Sequence, residues 1–128
     1  MNIIDRSDED FAYIPEWTYS VIAQYNWDTA FGAIVPRLHH YYVSSVFIGL
    51  DPASAATPEA YLDSYKLWNF RLAFQPSALA GLEVAGYVNN LTDEEYFGSG
   101  TASVEGVGAL SLRPGRQQTY GVELYYAW

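Results

Sequence analysis

The sequence predicts an all-β chain: a segment of an antiparallel, up-and-down transmembrane β-barrel. Three observations lead there. Side chains alternate with a period of two in five segments, one of the two faces so defined lacks charge, and the connections are alternately short and long. The 128 residues give room for one domain. Hydrophobic residues make up 50% and aromatics 17%, with only 16% charged, against roughly 25% charged in an ordinary soluble domain. Such a composition excludes disorder. The absence of cysteine excludes a disulfide framework and a thiolate metal site. No apolar run approaches the about 20 residues of a membrane-spanning helix. A formal charge of −9 has the wrong sign for nucleic acid as a partner.

The strands are expected near 15–27, 31–48, 65–75, 81–91 and 117–128, after an acidic outer loop at 1–14. In the first, Trp17, Tyr19, Val21, Ala23, Tyr25 and Trp27 form one face; Thr18, Ser20, Ile22, Gln24 and Asn26 form the other. No 3.6-residue period sorts them so. The second is less regular, with Ile34, Leu38 and Tyr42 placed outward, Arg37, His39 and Tyr41 inward, and Pro36 removing one ladder bond. The third sets Trp68, Phe70, Leu72 and Phe74 against Asn69, Arg71, Ala73 and Gln75. The fourth sets Leu82, Val84, Gly86 and Val88 against Glu83, Ala85, Tyr87 and Asn89. The last sets Tyr120, Val122, Leu124, Tyr126 and Trp128 against Thr119, Gly121, Glu123, Tyr125 and Ala127. Residues 28–30 and 76–80 are short turns, and 49–64 and 92–116 are long loops. Within the loops, Pro58 to Leu62 suits one helical turn and Thr101 to Leu112 an extra strand of a loop hairpin.

Charge decides between lipid and water outside. Segments 1–16, 49–64 and 92–116 hold twelve of the fifteen acidic and three of the six basic residues, a net −9. Strands and short turns are neutral: Asp28 sits in a turn, Lys66 at a strand end where it snorkels, and Arg37, Arg71, Glu83 and Glu123 on the inner faces. A soluble β-sandwich inverts this pattern. Trp17/Tyr19 and Tyr25/Trp27 bracket a span of about 26 Å along the bilayer normal when tilted, close to the apolar band of a membrane barrel. Aromatic rings at both ends suit its interfacial girdles.

Five strands do not close a barrel, because the smallest have about 8. Residues Met1 to Asp10 are polar and acidic and do not read as a secretory leader. Both points lead to the expectation of a fragment of a larger barrel, from a truncated gene, a split frame or a pseudogene.

Several motifs then carry a resemblance. Asn89-Asn90-Leu91-Thr92-Asp93-Glu94-Glu95-Tyr96 resembles the "NNLTD-x-x-Y" segment near the end of TonB-dependent outer-membrane receptors. Arg113-Pro114-Gly115-Arg116-Gln117-Gln118-Thr119-Tyr120-Gly121-Val122 resembles their "PGRPRTYGV" lead-in to the final strand. Ile14-Pro15-Glu16-Trp17-Thr18 is similar to the lead-in of a strand four earlier. The ending through Tyr120, Gly121, Val122, Leu124, Tyr126 and Trp128 resembles the signal read by the outer-membrane assembly machinery. The resemblance covers most of 14–128 and implies that 1–128 is the C-terminal part of a receptor barrel, about the last five of 22 strands. It further implies an outer-membrane location, a plug domain and TonB complex as partners, and uptake of a siderophore-iron, cobalamin or sugar ligand. Plug, TonB box and most strands have no counterpart among these residues, so the chain is not expected to transport by itself.

Other candidates are weaker. His39 and His40 are adjacent and point to opposite faces, so they do not grip one metal together. Asp8-Glu9-Asp10 and Asp93-Glu94-Glu95 lack calcium-loop spacing and read as solvated acids. Asn90-Leu91-Thr92 fits a glycosylation sequon, a short and frequent match. Arg37, Asn69, Arg71, Gln75, Glu83 and Glu123 are expected to line the lumen, either meeting a plug or ligand or forming a hydrogen-bonded wall. No catalytic constellation or cofactor is read, so an enzyme is not expected. The rival readings are a soluble β-sandwich that stacks carbohydrate on Tyr and Trp, and a mini-barrel built from several copies.

Overall fold

The computed structural model describes residues 11–103 and 108–128. Asp8-Glu9-Asp10, Glu105 and most of the expected 1–14 loop lie outside the described residues. In chain order the strands are β1 (Thr18–Gln24), β2 (Trp27–Thr29), β3 (Gly32–Val43), β4 (Val46–Phe47), β5 (Tyr61–Leu62), β6 (Tyr65–Pro76), β7 (Leu82–Asn89), β8 (Phe97–Ser103), β9 (Ala109–Pro114) and β10 (Thr119–Tyr126). The fold is all-β and antiparallel. No helix among the described residues is long and apolar enough to cross a membrane.

The chain divides into two units. One comprises Tyr19–Tyr42, Lys66–Glu94 and Arg116–Trp128, the other Met1–Thr18, Val43–Tyr65 and Glu95–Gly115. The first is built on the large sheet, ordered β1-β3-β6-β7-β10 with β2 also on β3. Neighbours in space are neighbours in sequence, which is the up-and-down arrangement. Its registers put Phe70, Val88 and Tyr120 in one row, Leu72, Gly86 and Val122 in the next, and Phe74, Val84 and Leu124 in a third. On the other face lie the rows Arg71, Tyr87, Gly121 and Ala73, Ala85, Glu123. The period of two read from the sequence thus aligns across strands, since one face is specified by burial or lipid and register follows. Among the described residues the sheet stays open, with β1 and β10 at its edges.

Four expected boundaries need correction. The first strand is not continuous over 15–27: β1 stops at Gln24 and β2 resumes at Trp27. Tyr25 N–H donates to the Pro36 carbonyl at 3.1 Å, and proline has no N–H to return the bond, so the ladder breaks there. The strand expected over 31–48 ends at Val43, and Val46–Phe47 pairs instead with Tyr61–Leu62. The strand expected over 81–91 stops at Asn89, because Asn90 takes a left-handed φ of 51° that no strand accommodates. The last strand begins at Thr119 rather than 117 and ends at Tyr126, its line prolonged by Ala127 N–H donating to the Gly81 carbonyl at 2.9 Å.

The second unit folds the long connections. Phe97–Ser103 and Ala109–Pro114 form an antiparallel hairpin where an extra strand was expected. A small core of Ile48, Ala60, Leu62 and Ala102, with Val46, Phe47 and Tyr61 against it, holds the β4–β5 pair. Pro52–Ala56 and Pro58–Ala60 are 3-10 turns; Asp51 caps the first by accepting from Ser54 N–H and its hydroxyl, each at 2.9 Å.

Candidate functional site

The polar face of the large sheet carries the charges. Arg71 Nη2 donates to Glu83 at 2.7 Å and to Glu123 at 3.1 Å, its Nε to Glu123 at 3.2 Å, and Gln75 Nε2 to Glu83 at 2.7 Å. Register explains how one arginine reaches both acids. Glu123 and Glu83 lie further along the sheet than the row of Arg71, and the residues between them, Ala73 and Ala85, are small and fully covered. A larger side chain at either alanine would occupy the path of the guanidinium. Such partly solvated pairs are each worth about 0.5–1 kcal/mol, so the cluster orders the wall more than it stabilises it.

Beside the cluster an open depression of about 350 Å³ is lined by Arg37, His39, Asn69, Arg71, Asn89 and Glu123, among others. His39 Nε2 lies 2.7 Å from Ser20 Oγ, a bond between β3 and β1. Tyr87 lies over Gly121, where a Cβ would stand 2.7 Å from its hydroxyl. Of the residues assigned to the lumen, Arg71, Gln75, Glu83 and Glu123 form one network, Arg37 and Asn69 line the depression, and the two histidines take opposite faces.

The apolar face bears the aromatics. Tyr19 stacks on His40 and Tyr42, with centroids 5.6 and 5.1 Å apart, and the His40 ring meets Trp68 edge-on at 4.2 Å. These residues sit where the strands meet the long connections. At the short-turn end, Tyr126 and Trp128 lie 6.4 Å apart. Trp27 is 57% exposed, Tyr25 66% and Leu124 72%, so none of the described residues covers this face. Tyr120, Val122, Leu124 and Tyr126 share it, whereas Gly121 lies on the polar face.

The two late motifs form one corner. Asn90 is 3% exposed; its Nδ2 donates to the carbonyls of Glu94 and Arg116 at 2.9 and 3.2 Å, and its Oδ1 accepts from Glu94 N–H at 2.8 Å. Asn90 N–H itself donates to Asn69 Oδ1 at 2.9 Å. Asp93 Oδ1 accepts from Gln118 N–H at 3.0 Å, and Gln118 Nε2 donates to the Leu91 carbonyl at 3.0 Å. Asn89 Nδ2 donates to Thr119 Oγ1 at 3.4 Å. Asparagine and aspartate suit the corner because Asn90 and Asp93 both have φ of 51°, tolerated by short polar side chains. An amide engaged in this way is not open to glycosylation in the folded chain. In the other unit, Tyr96 stacks on Tyr65 at 4.2 Å and packs against Gly115, which leaves no space for a Cβ there. Thr92 is exposed. The residue types of these motifs do not reveal the wiring around the buried amide of Asn90; asparagine at a turn between two strands is the signal that it leaves in the sequence.

A one-layer antiparallel sheet, polar on one side and exposed-apolar on the other, defines the class: the wall of an outer-membrane-type β-barrel. Among solved structures, the chain is similar to the ferric yersiniabactin uptake receptor FyuA from Yersinia pestis, with a TM-score of 0.71 at 21% identity, covering 90% of this chain and 16% of that one. At that identity the likeness establishes the fold alone: a stretch of antiparallel β-barrel wall that the described residues do not close. No family model matches the sequence, and no curated protein matches it.

Proposed function

We propose that the chain forms the C-terminal part of the barrel wall of a TonB-dependent outer-membrane receptor for a scarce ligand of the siderophore-iron, cobalamin or sugar class. It completes the wall and presents loops, and does not transport alone. Its partners are outer-membrane lipid, the rest of the barrel, the plug, and through the complete receptor the TonB complex. In this reading Trp128 and the alternating residues of β10 direct assembly. The observation that carries the proposal is the exposed apolar face, running from Tyr19 to Trp27 and across Leu72, Val122 and Leu124, while Arg71, Glu83 and Glu123 occupy the other side. Water penalises such a face and hydrocarbon does not. The likeness to FyuA, an uptake receptor, supports it.

Trp27, Trp68 and Trp128, three of the four tryptophans, fall on the apolar face, which gives the test. The chain is purified in detergent micelles, and tryptophan emission is measured with brominated detergent and, separately, with aqueous iodide. Strong quenching by bromine and weak quenching by iodide are expected. A chain that stays monomeric without detergent and is quenched by iodide alone would overturn the membrane reading and favour the soluble carbohydrate-binding module.

A further inference from the structure

We propose that the unit built from the long connections holds a binding site for a small organic cation, an amine or quaternary ammonium group on an apolar body. The site is a cavity walled by Phe11, Phe47 and Tyr61 and charged by Glu16. The proposal names the charge class of the ligand, and rests on the barrel-wall reading above only for the outward position of these loops.

Two stretches of chain build the walls. The β4–β5 pair sets Phe47 opposite Tyr61, and their rings lie 5.1 Å apart at an angle of 45°. Both pack on the small core of Ile48, Ala60, Leu62 and Ala102, and the Tyr61 hydroxyl donates to the Ala55 carbonyl at 3.4 Å. Their positions are therefore set before a ligand arrives, which lowers the cost of binding. The stretch from Phe11 to Glu16 is fastened beside them by Tyr13 N–H, which donates to the Phe47 carbonyl at 2.8 Å. Tyr13 has a φ of 67°, a left-handed conformation uncommon for a bulky residue. Held in this way, Phe11, Ile14 and Glu16 border an open cavity of about 230 Å³ together with Phe47 and Tyr61. A pocket for a whole drug-sized ligand takes about 300–1,000 Å³. This one suits one end of a ligand, the size of a substituted ammonium group and a ring.

Charge selects the occupant. The faces of aromatic rings carry partial negative charge and attract cations. Glu16 adds a full negative charge, and among the described residues it has neither a hydrogen bond nor an ion pair. No basic side chain among the described residues lines the cavity. In sequence the unit has ten acidic residues against two basic ones, a field that draws cations in and turns anions away. A purely apolar occupant would strip water from the Glu16 carboxylate and return nothing for it. An anion would stand directly against it. Only a cation with an apolar body satisfies both the rings and the carboxylate.

An amide NMR titration of the full chain in uncharged maltoside micelles tests this. Benzyltrimethylammonium is the cationic probe, with benzyl alcohol and benzenesulfonate as its neutral and anionic counterparts. The cation is expected to shift Tyr13, Ile14, Glu16, Phe47 and Tyr61 saturably, and the two counterparts to bind at least about tenfold more weakly. Glu16 and Phe11 are exposed and lie outside the small core. Glu16→Gln and Phe11→Ala should each weaken the cation about threefold. Added salt should weaken it more in the parent chain than in Glu16→Gln. The absence of saturable shifts, sulfonate binding as tight as the cation's, shifts confined to other acidic stretches such as Asp93 to Glu95, or unchanged affinity in either variant would overturn the proposal. A chain that is monomeric without detergent and still binds the cation here would keep the site and remove the receptor reading alone.

Discussion

Replacing Leu124 with arginine separates lipid from water by one residue's difference in facing. Leu124 lies on the apolar face in register with Val84, itself opposite Phe74, and is 72% exposed. Tyr120 and Trp128 mark the aromatic levels on either side, each four residues away. At about 3.3 Å per residue and about 45° of tilt, each level is about 9 Å off along the bilayer normal. The charged residues of β7 and β10, Glu83 and Glu123, are engaged by Arg71 on the opposite face, so the new guanidinium finds no acid beside it. A basic residue at that depth costs about 2–4 kcal/mol, and about 30- to 700-fold in the insertion equilibrium. The neighbouring Tyr125→Arg places the same charge on the polar face, opposite Glu83, and changes stability by no more than about 0.5 kcal/mol. The assay is a urea titration of both variants in phosphatidylcholine vesicles, followed by tryptophan emission. Equal midpoints for the two variants, within error of the parent chain, would refute the assignment of faces.

Asn90→Ala removes three side-chain hydrogen bonds and forces a left-handed φ on alanine, so the corner should lose about 3 kcal/mol in detergent unfolding; Asn90→Gly, which keeps the φ, should lose about 1 kcal/mol less. Gly115→Ala drives a methyl into the Tyr96 ring, and is expected to cost about 1–3 kcal/mol with loss of the tyrosine-pair signal in near-ultraviolet circular dichroism. A double-mutant cycle of Arg71→Met and Glu83→Gln should give a coupling of about 0.5–1 kcal/mol that shrinks in high salt; coupling well above that and indifferent to salt would mean a dry face.

Much of the fold was legible because a strand's two faces are set locally. Trp17 to Trp27 and Tyr120 to Trp128 sort by parity whatever they pair with, and parity separated Arg71, Glu83 and Glu123 from Leu72, Val84 and Leu124 correctly. That Pro36 costs a ladder bond was legible; that the break falls at Tyr25 was not, because it depends on which residue of the neighbouring strand Pro36 faces. Nor was the end of the second strand at Val43, since the later Val46–Phe47 is claimed by Tyr61–Leu62 and the small core around Ile48.

The corner shows the same division. Its residue types could be read from the chain, yet nothing local says that Asn90 reaches Arg116 or that Asp93 receives Gln118. The sequence by itself determined which side chains share a face and which face avoids charge, because alternation is a property of neighbouring residues. Tertiary structure alone decided which strands lie side by side, which small residues let Arg71 span to Glu83 and Glu123, and which backbone groups remain open at β1 and β10. Those depend on pairing between segments far apart in the chain, and pairing is settled by the register of whole strands.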